Sequence, residues 1–370
     1  MSVYLPEELV VKILSTLPTK SLIRFRCVSK SWHEILGNLD FLSQNLLNLS
    51  ILAAPENPNH SLLLVRGREK SDDENDENDV FSFLSYETLD CLSQIAFTTF
   101  LSFTLVGSCK GLLCIYNVHT GGVYLWNPVT PFVGLKALPP MPERANSFGS
   151  GFGFGFDSRF NDFKVVRIRS SLLQGEHLQS HVEVFSLNAG SWRVIDLPEP
   201  MLPFWGNRSS LRTVALDGVF IWWMLDHKIA AFDFSDELLR LTPLPDASHL
   251  HLLSQDNGGS SIITLLNGHV ALLAFSGSKM NATRSLEIWV LLEFGVKESW
   301  TILTTIGLPM DLERPLGFWK SGQLFIENSE GQLVLYDPFA QSTKNLQIID
   351  ATKRSFQIVL YKPSSIAVNP

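Results

Sequence analysis

Cysteine is scarce in this chain: Cys27, Cys91, Cys109 and Cys114 are all that 370 residues hold. Cys109 and Cys114 are not at a zinc-ribbon spacing and have no partner pair, so neither a disulfide framework nor a thiolate metal site is expected. Reduced thiols suit such a chain. Charge is also thin, at 18% of residues, and the net charge is −8. That balance excludes wrapping nucleic acid with the protein as a whole, because phosphates would repel it, though it leaves room for a local basic patch. Long apolar runs are missing too. The strongest, Val219–Leu225, is far too short to span a bilayer. The first residues lack the basic-then-apolar layout of a signal peptide. The expected location is therefore the cytoplasm and/or nucleus, with the sequons at Asn48, Asn207 and Asn281 carrying no sugar. No Gly-x-Ser-x-Gly or other nucleophile signature occurs.

What is present is apolar: 45% of residues, enough for a large buried core. The chain divides by texture. Leu5–Trp32 reads as helical. Pro6 stands where a helix would begin, with Glu7 and Glu8 in the first turn, where carboxylates suit the positive helix end. Leu5, Leu9, Ile13 and Leu17 recur four apart and form one apolar stripe. Pro18 stops that helix. Thr19 or Ser21 can cap a second helix with Leu22, Ile23 and Phe25 on its apolar side, and Ser29 a third bearing Trp32, Ile35 and Leu36. By itself such a piece reads equally well as a small helical cap packed on the rest of the chain.

The residue order from Leu5 to Trp32, ending Arg-Phe-Arg-Cys-Val-Ser-Lys-Ser-Trp, closely resembles the F-box in its plant form. The resemblance implies docking on a Skp-type adaptor that holds the protein on a cullin ubiquitin ligase. The matching positions are Leu5, Pro6, Leu9, Ile13, Leu14, Leu17, Pro18, Leu22, Cys27 and Trp32.

From Ser61 onward the chain is short apolar runs separated by turn signals, an all-β texture. Third-strand candidates end on an aromatic followed by a small polar residue: Trp126-Asn127, Phe185-Ser186, Phe232-Asp233 and Tyr336-Asp337. Trp289 has no such follower. These aromatics are 59, 47, 57 and 47 residues apart. A period near 50 is that of kelch-type propeller blades. Glycine turns at Lys110-Gly111, Asp217-Gly218, Asn267-Gly268 and Ser321-Gly322 precede second strands, and fourth strands end near Leu138-Pro139, Leu197-Pro198 and Leu244-Pro245. Four strands per repeat is the propeller plan. The expected fold is mainly β: a kelch-like β-propeller of about six blades, seven being possible, behind a small helical module. The boundaries expected are 1–45 for the module, 46–60 for a linker and 61–370 for the propeller. The first repeat, around Ser61–Val65 and Val80–Leu84, lacks a strand, and Phe356–Tyr361 is expected to pair with it and remove an open edge.

This second region resembles the F-box-associated domain of plant F-box proteins. The resemblance is carried by Ser108-Cys109-Lys110-Gly111-Leu112-Leu113-Cys114, Trp126-Asn127-Pro128, Gly155-Phe156-Asp157 with Asp162-Phe163-Lys164, Val182-Glu183-Val184-Phe185-Ser186, and Glu287-Ile288-Trp289 with Ser299-Trp300. One departure is Phe220-Ile221-Trp222, where the family commonly has histidine before the tryptophan.

Candidate chemistry is sparse. The glycines of Gly149–Gly155 alternate with Phe152, Phe154 and Phe156, which makes a strand with an aromatic face and not a nucleotide loop. His249 and His251 make no metal set, and His177 and His181 are expected to face solvent. Ser71–Asp79 reads as a solvated acidic loop or, more sharply, as a lure for a basic target. Phe204, Trp205 and Arg208 are candidate target-binding residues, since such types dominate interface energy; tucked blade-edge aromatics explain them equally well.

The reading these features support is a non-catalytic, substrate-recruiting subunit of a Skp–cullin–F-box ubiquitin ligase, with no cofactor, no metal, no nucleic acid and no membrane among its partners. Those partners are a Skp-type adaptor, through it a cullin, and an unknown target protein. The alternatives are a propeller lectin or enzyme, or an adaptor-bound scaffold that degrades nothing. The longer connections, 2–3 and 4–1, are expected to meet the target.

Overall fold

The alternating apolar runs become strands in the computed structural model. It describes residues 6–14, 25, 28–37, 62–70, 77–97, 103–129, 135–141, 147–172, 178–197, 213–216, 218–224, 227–246, 261–266, 268–276 and 285–364. Among them, 24 strands make six four-stranded sheets, the six blades of a β-propeller, and every described pairing is antiparallel.

One compact unit is residues 55–244 with 348–370. Its first sheet holds β1 (Leu62–Lys70), β2 (Glu77–Ser85) and β3 (Cys91–Phe97). The second holds β4 (Phe103–Cys109), β5 (Leu112–Asn117), β6 (Val123–Trp126) and β7 (Leu135–Ala137). The third holds β8 (Ser147–Asp157), β9 (Asp162–Leu172), β10 (Leu178–Ser186) and β11 (Ser191–Asp196). The fourth holds β12 (Thr213–Leu216), β13 (Val219–Trp223), β14 (Lys228–Asp233) and β15 (Leu239–Pro243). The other unit, 1–54 with 245–347, holds the helices described below and two sheets. These are β16 (Ile262–Leu266), β17 (His269–Ser276), β18 (Ser285–Leu291) and β19 (Trp300–Gly307), then β20 (Leu312–Phe318), β21 (Leu324–Asn328), β22 (Gln332–Asp337) and β23 (Ser342–Ile349), whose last two residues belong to the first unit.

The strand missing from the first repeat comes from the far end of the chain. β24 (Gln357–Tyr361) pairs with β1, Leu62 opposite Tyr361 and Arg66 opposite Gln357, so the sheet order is β24-β1-β2-β3. It occupies the first-strand position that β4, β8 and β12 hold in their own sheets. First strands of successive sheets lie against one another: β24 by β4, β4 by β8, β8 by β12 and, in the other unit, β16 by β20.

The core is layered between sheets. Leu64, Phe81, Phe83, Leu113, Ile115, Trp126 and Tyr361 fill the gap between the first and second. Leu112, Cys114, Leu125, Phe154, Val165 and Phe185 fill the next. Val166, Ile168, Val182, Val184, Phe220, Trp222 and Phe232 fill the one after. The alternation of β8 serves two of these layers. Phe154 packs toward the second sheet, while a Cβ on Gly153 would come within 2.7 Å of Phe220 and one on Gly155 within 2.1 Å of Phe234. These two glycines allow the fourth sheet to approach this closely.

The polar residue after each third-strand aromatic has a local task. Asn127 Oδ1 accepts the Val129 N–H at 3.1 Å, and Ser186 Oγ accepts that of Ala189 at 3.0 Å. Asp233 Oδ1 accepts from Ser235 and Asp236, and Asp337 Oδ1 from Phe339 and Ala340. These are side-chain turn caps that end the third strand and start the fourth. Trp289 is followed by no such cap, and its connection is longer, closed by Ser299 after a short 3₁₀ turn at Lys297–Ser299. The turns at Gly218 and Gly268 have φ of 80° and 69°, which glycine adopts without cost.

Two expectations are corrected. The acidic stretch Ser71–Asp79 does not end as a solvated loop. Glu77–Asp79 begin β2, and buried Asp79 takes ion pairs from Arg66 and Arg68 while accepting the Phe103 N–H. A carboxylate with three donors is stabilised even where water is excluded. His181 does not face solvent; it is fully buried on β10, because an odd position there points between two sheets.

Candidate functional site

The helical piece shows how one sequence stripe divides. Helix α1 (Glu7–Leu14) starts on Pro6, whose carbonyl accepts from Leu9 N at 3.0 Å and Val10 N at 3.2 Å. Proline has no N–H to leave unpaired at that end. Helix α2 (Lys30–Gly37) is capped by Ser29, whose Oγ accepts the Trp32 N–H at 3.1 Å. Leu14 is wholly buried, enclosed by Val10, Val11, Phe25, Trp32 and Ile35. Phe25 meets Trp32 edge-on at 5.5 Å.

Leu9 and Ile13 are on the other side of α1, 47% and 51% exposed, with Pro6 also exposed. Four residues apart, they form one apolar patch about one helical turn long. Burying each against a partner is worth about 1.5–3 kcal/mol. So Leu14 and Trp32 hold the piece together, and Pro6, Leu9 and Ile13 are what it presents. Leu5, Leu17, Pro18, Leu22 and Cys27 lie outside the described residues.

In the sheets, antiparallel order puts the 1–2 and 3–4 connections at one end of the strands and the 2–3 and 4–1 connections at the other. The first group holds side-chain-capped and glycine turns, and two 2–3 connections are tight as well, capped by Asn117 and Asn328 with Gly121 and Gly331 at positive φ. The second group includes 71–76, 173–177, 198–212, 247–260 and 277–284, which lie outside the described residues, as do Phe204, Trp205 and Arg208 in the connection from β11 to β12. Next to that end, between the second and third sheets, is a buried cluster of ionisable side chains on β9 and β10. Sequence reading gave no sign of it, beyond the spacing of Arg167 and Arg169 along one strand face.

The family described as "F-box associated beta propeller domain" matches residues 82–367, and "F-box domain" matches residues 4–44. Among curated relatives, the chain is similar to the F-box protein At3g07870 of Arabidopsis thaliana, at 26% identity over 92% of this chain and 87% of that one. It is similar to the F-box/kelch-repeat protein At3g23880 of the same plant, at 24% identity over 87% and 84%. A third is the F-box protein CPR1, also from Arabidopsis thaliana, at 25% identity over 94% and 85%.

Proposed function

We propose, for a chain that belongs to the F-box-associated β-propeller family and carries an F-box, that it is the substrate-recognition subunit of a Skp–cullin–F-box ubiquitin ligase. An F-box generally binds a Skp-type adaptor; the cullin would be reached through that adaptor. The propeller recruits a target protein, and the chain itself carries out no bond chemistry. The observation that supports this best is the exposed Leu9–Ile13 pair on a helix whose other side is already packed. An apolar patch held outward by its own small core is suited to docking. The ends of the strands bearing the 2–3 and 4–1 connections, Phe204, Trp205 and Arg208 among them, are assigned to the target, since function sits on variable loops over a rigid scaffold. The work is placed in the cytoplasm and/or nucleus.

The test is co-purification of a plant Skp adaptor with the full chain. Replacing Leu9 and Ile13 by aspartate should cut adaptor affinity by orders of magnitude and leave the propeller's melting unchanged. Undiminished adaptor binding would refute the docking assignment. A captured target whose turnover is the same with and without the F-box would show a scaffold instead.

A further inference from the structure

A strand at the edge of a sheet presents a row of backbone N–H and C=O groups that another chain can pair with, and proteins blunt such edges with charge, proline, short length or a distorted backbone. Five of the six outer strands are blunted or covered. β7 has three residues, one of them Lys136. β11 carries Arg193 and Asp196, and β15 carries Arg240 and Pro243. β23 carries Lys344 and has Gln347 at a φ of 59°. β19 is uncharged but exposes only Thr305 and Gly307.

β3 is the exception. It reads Cys-Leu-Ser-Gln-Ile-Ala-Phe, with no charge, proline or glycine. It is last in its sheet, and among the described residues its backbone pairs with no strand but β2. Its one irregularity is a bulge at Leu92, where Cys91 and Ser93 face consecutive residues of β2; residues 93–97 continue in regular register. Residues 91–94 and Ala96 are exposed, Leu92 at 60%. The strand is nevertheless anchored, because the Phe97 ring lies 5.2–5.5 Å from those of Phe81, Phe103 and Trp126. The turn leading into β3 carries Glu87 and Asp90, both exposed. Its far end runs into the 4–1 connection at 98–102, at the end of the strands assigned above to the target.

We propose that an extended segment of the recruited target adds to the first sheet as a further strand, antiparallel to β3, with a lysine or arginine at its C-terminal end meeting Asp90. This rests on the target-recruiting role above and adds the kind of segment that is recruited. In strand addition the backbone bonds supply affinity, and alternate side chains supply selectivity. Antiparallel pairing is the more stable per residue and brings the segment's C-terminal end to the start of β3. A basic end suits both the acidic turn and a chain of net charge −8. That same charge disfavours a second copy of this chain on the edge.

The probe is the peptide acetyl-Thr-Ile-Thr-Val-Thr-Lys-Lys-amide at millimolar concentration, added to the full chain co-expressed with its adaptor. Amide hydrogen exchange, resolved by mass spectrometry, reads the protection of each strand. Exchange across β3 should slow severalfold while that of β11 stays unchanged. The same peptide with Pro-Pro for its central Thr-Val should have no effect, since proline brings no N–H. Asp90→Lys, a change at an exposed turn position, should weaken the response to the lysine peptide and strengthen the response to one ending in Glu-Glu. The proposal is overturned by no slowing in the wild type, by equal slowing with the proline peptide, or by a response that Asp90→Lys leaves unchanged. It is overturned too by β3 amides that exchange slowly without peptide and quicken on dilution, the mark of a second copy on the edge. Adaptor retained in these preparations confines such a failure to the edge of β3; adaptor lost from the wild type tells against the ligase role itself.

Discussion

Gln357 is bonded twice to the backbone of Leu105, 252 residues away. Its Oε1 accepts the Leu105 N–H at 2.9 Å and its Nε2 donates to the Leu105 carbonyl at 2.7 Å. One buried side chain thus satisfies both polar groups of a residue in the neighbouring sheet, and it sits on the strand that completes the first sheet. Around it, Arg66 Nη1 donates to the Ser355 carbonyl at 3.0 Å, and Asp350 accepts from the Ser355 N–H and hydroxyl, each at 2.6 Å.

Gln357→Leu removes both bonds and leaves a buried donor and acceptor without partners. Each such group costs about 1–3 kcal/mol, so the expected loss is roughly 2–6 kcal/mol in urea unfolding of the propeller. Deleting residues 352–370 should cost more, by opening the edge of β1, while adaptor co-purification stays intact. A deletion that melts like the full chain would show that β24 does not complete the sheet.

Gly155→Ala places a methyl group 2.1 Å from Phe234 Cε2, against a rigid ring. Overpacking of this kind costs about 1–3 kcal/mol or more. Phe234→Leu, harmful alone, should recover part of that loss when combined with it. Additive losses in the double variant, measured as a mutant cycle, would place the strain elsewhere.

Burial pushes the Tyr361 phenol up to about 12, although a backbone hydrogen bond from Val129 opposes it. The folded value is above the ordinary 10.0. The contribution to stability is therefore full below pH 10 and lost as pH rises toward about 12. Stability curves of the wild type and Tyr361→Phe should differ in slope only in that alkaline window. Parallel curves throughout would show that Tyr361 keeps its ordinary value when folded.

Thiol labelling should follow burial. Cys91 is exposed, Cys109 is half-buried with its thiol pushed up to about 11, and Cys114 is fully buried with its thiol raised further. Desolvation is the leading cause in each case, and the nearby Lys110 charge partly offsets it at Cys109. Since the thiolate is the reactive form, an alkylating agent at neutral pH should modify Cys91 first and Cys114 only on unfolding. Mass spectrometry of peptides along a time course reads the order, and early labelling of Cys114 would contradict the packing of β5.

Local patterns determined much of this protein before any coordinates. The third-strand aromatics Trp126, Phe185, Phe232, Trp289 and Tyr336, the glycine turns and the Ser29 cap are all set by neighbours a few residues away. The apolar stripe of α1 was legible too, because helical period is a local property. Which member faces which way was not: Leu14 turns inward and Leu9 outward only once Phe25 and Trp32 fold back onto the helix. The burial of Asp79 and His181 was misread because polar residues are judged solvent-facing by type. Their surroundings come from strand register and from a second sheet laid over the first. Arg66 reaches Ser355 across 289 residues of chain, and Gln357 reaches Leu105 across 252. Charge balance in a buried layer is a sum over strands far apart in the chain, so tertiary structure alone decides it.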